Sequence, residues 1–306
     1  MTLGDALQLS KIVAGTAIAW CVPPRYWRKV ASAAGGISQA DQCWPVYNAI
    51  LGQKYTKAEI ARIRERRHTY SRELKFQILG LAGPWRAWRP DIRLNGEVNL
   101  QDALKGGRGA ILWVLETTFS TLITKMALHR AGYYACQLSR PGHGFSSTPF
   151  GIRFLNPIWT RVEDRFIAER VVIYGETAAE ALTVLRKRLA ANGIVIITLA
   201  PQAHKFAEVP FFHTQIQLPT GPGKLALTSS AALLPVFSFA NHNGGFDVSI
   251  DAPVYPADGS IATVENIIAA YAKRMEQFVS EHPDQWMGWD WLARRMRVGS
   301  PRQDDS

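Results

Sequence analysis

Gly109-Ala110-Ile111-Leu112-Trp113-Val114-Leu115-Glu116-Thr117-Thr118-Phe119-Ser120-Thr121 is the stretch from which the fold is read. From Gly109 to Leu115 the chain carries no polar side chain. A continuous apolar run of this length is expected of a strand covered on both faces. A single carboxylate, Glu116, closes it. A helix then follows through Leu122, Ile123, Met126 and Ala127 and stops at Gly132.

The same alternation extends outward on both sides. Residues 133–138, 171–174 and 194–199 read as further strands. Between the last two, Thr177-Ala178-Ala179-Glu180 reads as a capping box opening a helix. Its apolar face is Ala178, Ala181, Leu182, Leu185 and Leu189, and it ends at Asn192-Gly193. Strand–helix–strand alternation predicts an α/β fold with a mainly parallel central sheet flanked by helices. Residues 233–240 and 246–250 flank an Asn-His-Asn-Gly-Gly turn and read as a hairpin, so the sheet is expected to be mixed. Ile92-Arg93-Leu94 before Asn95-Gly96 reads as a short strand and turn. Val264, Ile267, Ile268, Tyr271, Met275, Phe278 and Val279 mark an amphipathic helix.

Residues before about 92 have a different character, helical and basic. Ile60, Ile63, Tyr70, Leu74, Ile78 and Leu81 line one helix face, which Arg67 interrupts and Gly83-Pro84 ends. Residues 12–22 are apolar but too few to span a bilayer, which needs ~20. With Lys11 before them and Arg25, Trp27, Arg28 and Lys29 after, an interfacial helix and a buried hairpin helix are both open readings. The expected organisation is a helical, membrane-associating segment over 1–91, an α/β domain over 92–298 and a disordered tail over 299–306.

Lys plus Arg number 35 against 25 Asp plus Glu, a net charge of +10. That excess favours anionic partners, such as a membrane surface or an acidic protein. The basic clusters match no nucleic-acid-binding module, so no nucleic acid is expected as partner. Ten tryptophans suit either a Trp-rich core or a membrane interface. Cys21, Cys43 and Cys136 show no paired spacing, which points to a reducing compartment. The seven histidines form no metal-ligand spacing with one another or with cysteine, and no metal is expected.

Several blocks, in order, carry a resemblance. They are Arg93-Leu94-Asn95-Gly96-Glu97 with Gly107-Arg108-Gly109, then Ser139-Arg140-Pro141, then Val209-Pro210-Phe211-Phe212. Leu218-Pro219-Thr220-Gly221-Pro222 and Leu234-Pro235-Val236-Phe237 follow, and Pro283-Asp284-Gln285-Trp286 closes the series. Together they resemble the bacterial lipid A lauroyl/myristoyl acyltransferases over about residues 92–292. The resemblance implies a glycerolipid acyltransferase-like fold on the cytoplasmic face of the bacterial inner membrane, peripheral or shallowly inserted. It implies an acyl donor on acyl-carrier protein or CoA, a lipid or small-molecule acceptor, and no other cofactor.

In that family a histidine ends the first core strand and an acid follows five residues later. The histidine takes the acceptor hydroxyl's proton. Here the two positions are Glu116 and Thr121, and Ala200-Pro201-Gln202 replaces a more usual Ala-Asp-Gln. Glu116 is therefore the candidate base, provided burial raises its pKa. His143, between Gly142 and Gly144 in the loop after the second strand, is the candidate partner; an ordinary loop histidine is the alternative. Amides at the start of the helix after Glu116 are expected to hold an oxyanion. Thr121, Arg140, Ser146, Gln202 and Lys224 are the candidate substrate contacts. Arg140 suits a phosphate or an ion pair, and Lys224 an anion or a structural turn. Glu163-Asp164-Arg165 with Glu169-Arg170 reads as an ion-paired surface helix or a contact to a polar acceptor. The reading is a membrane-associated acyltransferase with an atypical active site. Its alternative is an inactive homologue that binds acyl chains or acyl-carrier protein as a scaffold.

Overall fold

A computed structural model describes residues 2–35, 44–83, 88–174, 178–199, 203, 205–254 and 263–295. Four helices lead: α1 (Leu3–Cys21), α2 (Trp27–Ala33), α3 (Trp44–Leu51) and α4 (Lys57–Ala82). The α/β part follows as β1 (Ile92–Asn95), α5 (Glu97–Lys105), β2 (Ala110–Val114), α6 (Ser120–Arg130), β3 (Ala135–Ser139), α7 (Asn156–Glu163), β4 (Glu169–Val172), α8 (Ala179–Ala190) and β5 (Ile194–Thr198). It closes with β6 (Phe206–Phe211), β7 (Thr214–Pro219), α9 (Gly221–Ser229), β8 (Ala232–Ala240), β9 (Phe246–Ile250), α10 (Val264–Glu281) and α11 (Trp289–Arg295).

Seven strands form one sheet in the order β1-β9-β8-β2-β5-β3-β4. All neighbours are parallel except the β8–β9 hairpin. The fold is thus α/β with a mixed, mainly parallel sheet. β2 lies at its centre, and alternation of side chains across a strand divides its residues between two cores. Ile111, Trp113 and Leu115 face one core, built with α3, the start of α4, α8, α9 and α10. Ala110, Leu112 and Val114 face the other, built with the end of α4, α5, α6 and α7. This is why the segment shows no polar–apolar alternation: neither face meets water. Trp113 stacks on Tyr271 of α10, with ring centroids 3.6 Å apart.

α4 joins the N-terminal helices to the sheet. Ile60 and Ile63 enter one core, and Leu74, Ile78 and Leu81 the other. Phe76 and Leu79 form a third cluster with Ile12, Ala19, Trp27 and Ala31 of α1 and α2. The third cluster is tight at Gly80, where a Cβ would lie 2.6 Å from the buried Trp27 ring. Gly80→Ala is therefore expected to cost about 1–3 kcal/mol by overpacking, read as a lower urea midpoint with unchanged slope.

The structure departs from the sequence reading in several places. The first helix begins at Leu3, nine residues before the apolar run, because Thr2 and Asp5 form a capping box. Helix α8 starts at Ala179 without a side-chain cap; the expected capping residue Thr177 lies outside the described residues, as do Pro84 and the tail after 295. β6 and β7 pair as a separate antiparallel hairpin not foreseen in the sequence. Gly96 turns the chain out of β1 at φ +71°, where a Cβ would lie 2.1 Å from the Ile250 carbonyl oxygen.

Candidate active site

The parallel strands end at one edge, where the chain leaves β2 at Leu115 and β3 at Ser139. Such carboxyl edges are where open α/β sheets bind ligands. Glu116 stands there, half-buried, in a surround built from the far end of the chain. Its carbonyl accepts from the Met287 amide at 3.0 Å, Thr117 bridges to Trp286, and the Thr118 amide donates to the Gln285 carbonyl at 2.8 Å. Gln285 is fixed in turn by two bonds to the Ala240 backbone, 2.7 and 3.0 Å. The Pro283-Asp284-Gln285-Trp286 block therefore clamps the segment that carries Glu116.

Burial pushes the Glu116 carboxyl up, the nearby Asp290 carboxylate adds to this, and Arg67 opposes it; the result is about 7. Arg67 is itself buried and pairs with Asp290, while donating to the Tyr47 hydroxyl at 3.4 Å. Its Nε finds no partner among the described residues. Arg67 and Asp290 are neighbours of Glu116 that sequence reasoning missed. The signal for Arg67 was present, since a charge interrupting an apolar helix face requires a buried partner.

His143 is placed differently from the expectation. Its Nε2 lies 2.9 and 3.0 Å from the two carboxylate oxygens of Glu163. The expected Glu116–His143 hydrogen bond is absent among the described residues; the carboxylate that the ring meets is Glu163. The ion pairing expected of residues 163–165 with Arg170 is present, to Glu163 and to Asp164, but Glu163 is buried rather than on a surface helix. Its side chain is 0% exposed. It accepts from Lys125 Nζ at 2.7 Å, Trp159 Nε1 at 2.7 Å and Arg170 Nη2 at 2.8 Å. Burial alone would raise its pKa, but the charges of Lys125, His143 and Arg170 hold it well below the usual carboxylate range.

The remaining candidates divide. Thr121 sits on the first turn of α6 with its hydroxyl oxygen buried and unpartnered among the described residues. Arg140 is half-buried, its pKa lowered by desolvation, and its side chain makes no hydrogen bond to a described residue. The Ser146 hydroxyl is engaged within its own loop by Thr148, at 3.1 Å from Oγ1 and 3.2 Å from the amide. Lys224 is exposed on the first turn of α9, and Gln202 lies outside the described residues. Of the amides expected to hold an oxyanion, those of Thr117, Thr118, Ser120, Leu122 and Ile123 already donate to backbone carbonyls. Among the described residues, no group of three or more His, Cys, Asp or Glu is placed to hold a metal.

Comparison with known proteins adds two findings. The family pattern described as bacterial lipid A biosynthesis acyltransferase matches residues 144–298; Glu116 precedes the matched span. The phosphatidylinositol mannoside acyltransferases of Mycobacterium tuberculosis strains ATCC 25618/H37Rv and CDC 1551/Oshkosh are each 36% identical over 115 residues. The matched stretch covers 36% of this chain and 34% of each relative, about a third of the length of either.

Proposed function

Because this chain belongs to the bacterial lipid A biosynthesis acyltransferase family, we propose that it carries a fatty acyl group from an acyl-carrier protein or CoA thioester to a lipid or metabolite hydroxyl or amine. Glu116 is the base. The observation that carries this reading is a carboxyl pushed up to about 7 at the end of the central strand. A hydroxyl is a poor nucleophile until a base within reach takes its proton. A base serves best when its pKa lies near the working pH. Glu116 thus replaces the family's usual histidine by burial, with Asp290 adding to it, and without the acid that Thr121 has displaced. Arg140 is positioned for an anionic group of donor or acceptor, such as a phosphate.

The test is transfer of labelled dodecanoyl from acyl-carrier protein and from CoA, with wild type beside Glu116→Gln. The acceptors are lipid A precursors, phosphatidylinositol mannosides, lysophospholipids and small amines; the second class is the one named for the mycobacterial relatives. Turnover removed by Glu116→Gln supports the enzyme. The second reading, an acyl-binding scaffold, is favoured by the absence of the family's histidine and acid at Glu116 and Thr121. It predicts no turnover with any acceptor while acyl-carrier protein still binds.

α1 supports a membrane-surface location. Leu3 is 89% and Val13 62% exposed, with Leu7, Ala17 and Trp20 also exposed. Lys11 is the only charge on that solvent face. An exposed helix face this apolar suits shallow burial among headgroups. Among the described residues no helix is long and apolar enough to cross a membrane. In co-sedimentation with phosphatidylglycerol vesicles, Leu3→Asp with Leu7→Asp is expected to weaken binding about tenfold or more. Equal binding by the variant would remove α1 as the anchor.

A further inference from the structure

We propose that His143, aimed by the buried Glu163, is a second proton-exchange group of the site and serves the departing thiol, while Glu116 serves the acceptor. The proposal rests on the acyl-transfer reading above.

The tautomer is the first support. An ionised carboxylate accepts but cannot donate, and Glu163 is held ionised by its cationic neighbours. Nε2 of His143, at 2.9 and 3.0 Å from the two oxygens, therefore carries a proton in both the neutral and the charged ring. Nδ1 is left as the nitrogen that gains and loses one. It makes no hydrogen bond to a described residue, and the side chain is 26% exposed.

The loop is built to hold this ring still. Asn156, buried at the start of α7, accepts from the Ser146 amide at 2.9 Å and donates to the carbonyls of Ser146 and Pro141 at 2.8 and 3.2 Å. Gly144 passes at φ +137° so close to Asn156 that a Cβ would lie 2.8 Å from its side chain. The staple spans both sides of His143.

Place is the third support. Val114 of β2 pairs with Thr198, and Gln137 of β3 pairs with Ile196. Ser139 is therefore level with Val114, two strand spacings away, about 10 Å. Glu116 and the His143 loop leave the sheet at one edge and one height. α6, which begins just after Glu116, sends Lys125 to the same Glu163 that aims His143.

Glu116 takes the proton of the acceptor's O–H or N–H as that atom bonds to the thioester carbon. The C–S bond then breaks with its electron pair on sulfur, and the Nδ1 proton of charged His143 passes to that sulfur. Glu116 returns its proton to water and His143 regains one from water. Acceptor and thioester become acylated acceptor and thiol, with nothing else consumed. Glu163 is a positioning residue, opposite in charge to the imidazolium it aims.

Leaving-group dependence tests the assignment. Two donors are compared on the acceptor that turns over: the dodecanoyl thioester of N-acetylcysteamine, and that of 4-nitrothiophenol, whose thiolate departs without a proton. His143→Asn is expected to lower kcat about a hundredfold with the first donor, with KM unchanged, and to run near the wild-type rate with the second. Glu116→Gln is expected to be slow with both. An equal loss for His143→Asn on both donors would overturn the proposal. Imidazole 15N spectra decide the geometry without turnover: neutral His143 is protonated on Nε2 in wild type and becomes a tautomer mixture in Glu163→Gln. A wild-type ring protonated on Nδ1 overturns the proposal whatever the activity. If wild type shows no transfer to any acceptor, the thiol role falls with the enzyme reading. An Nε2–H tautomer would then show that the reaction failed and the oriented ring did not.

Discussion

The Glu116→Gln protein is expected to lose acyl transfer by about two to four orders of magnitude and yet to melt above wild type at pH 8. Both results come from one carboxyl. Its surroundings favour the neutral form, so its pKa rises from 4.5 to about 7. Above that value the native state holds a desolvated charge beside Asp290, which the unfolded chain would hold in water. The folded-state pKa is raised, so the associated stability is complete below about 4.5 and is lost as pH climbs through about 7. Glutamine keeps the shape and never ionises. The gain at pH 8 is at most about 3 kcal/mol, and it vanishes below pH 4.5. Melting curves of the two proteins from pH 4 to 9 check this. Parallel curves would mean that Glu116 ionises like an ordinary surface carboxylate, which would remove the reason for calling it a base. With the 4-nitrothiophenyl donor, whose thiolate departs without a proton, wild-type turnover is expected to rise with pH through about 7, as the basic form of Glu116 accumulates. The loss of activity and the gain of stability together separate a working base from a residue that merely props the site.

The central strand was legible because two covered faces leave one sequence signature, an unbroken apolar run. The β8–β9 hairpin was legible for a different reason: Gly244 at φ +82° sits in a turn that names itself. The β6–β7 hairpin escaped notice although Ala207, Val209 and Phe211 alternate inward. Pro210 lies within β6, and the turn places Phe212 at φ 51°, where a bulky residue is uncommon. Local propensity argued against a fold that packing imposes. The site divides along the same line. Glu116 was found because its position follows from the strand it ends. Asp290 and Arg67 act on it from distant parts of the chain, and no local pattern joins them to it. The burial of Glu163 was illegible for a related reason. Glu-Asp-Arg looks like an ion-paired surface helix until Trp159, Lys125 and Arg170 are brought around Glu163, and that convergence is a tertiary fact.

Glu163→Leu is expected to destabilise the fold by about 3–5 kcal/mol, the usual cost of removing one member of a buried ion pair. The cations it leaves behind are not equally stranded. Arg170 retains Asp164 Oδ1 at 2.6 Å and the Ser139 hydroxyl at 3.1 Å. His143 is partly exposed and can turn to water. Lys125 is 3% exposed, and Glu163 is the only partner its Nζ has among the described residues, so it decides the cost. Lys125→Met in the Glu163→Leu background is therefore expected to recover about 2 kcal/mol or more, since a matched apolar pair of similar volume fills the site without a stranded charge. Urea titrations of wild type, both single variants and the double variant measure the coupling. A Glu163→Leu cost under about 1 kcal/mol would mean that water reaches the cluster. The pH dependence has the opposite sign to that of Glu116. The Glu163 pKa is depressed in the folded state, so its contribution is present above the ordinary carboxylate range and lost as pH falls below it. Wild type is expected to lose stability in acid, and the double variant, lacking Glu163, to lose less. Two carboxylates, Glu116 after β2 and Glu163 at the end of α7, are thus driven in opposite directions. Glu116 has too little countercharge and is poised to trade a proton near neutrality. Glu163 has a surplus of countercharge and stays ionised, fixed in place to aim the ring beside it.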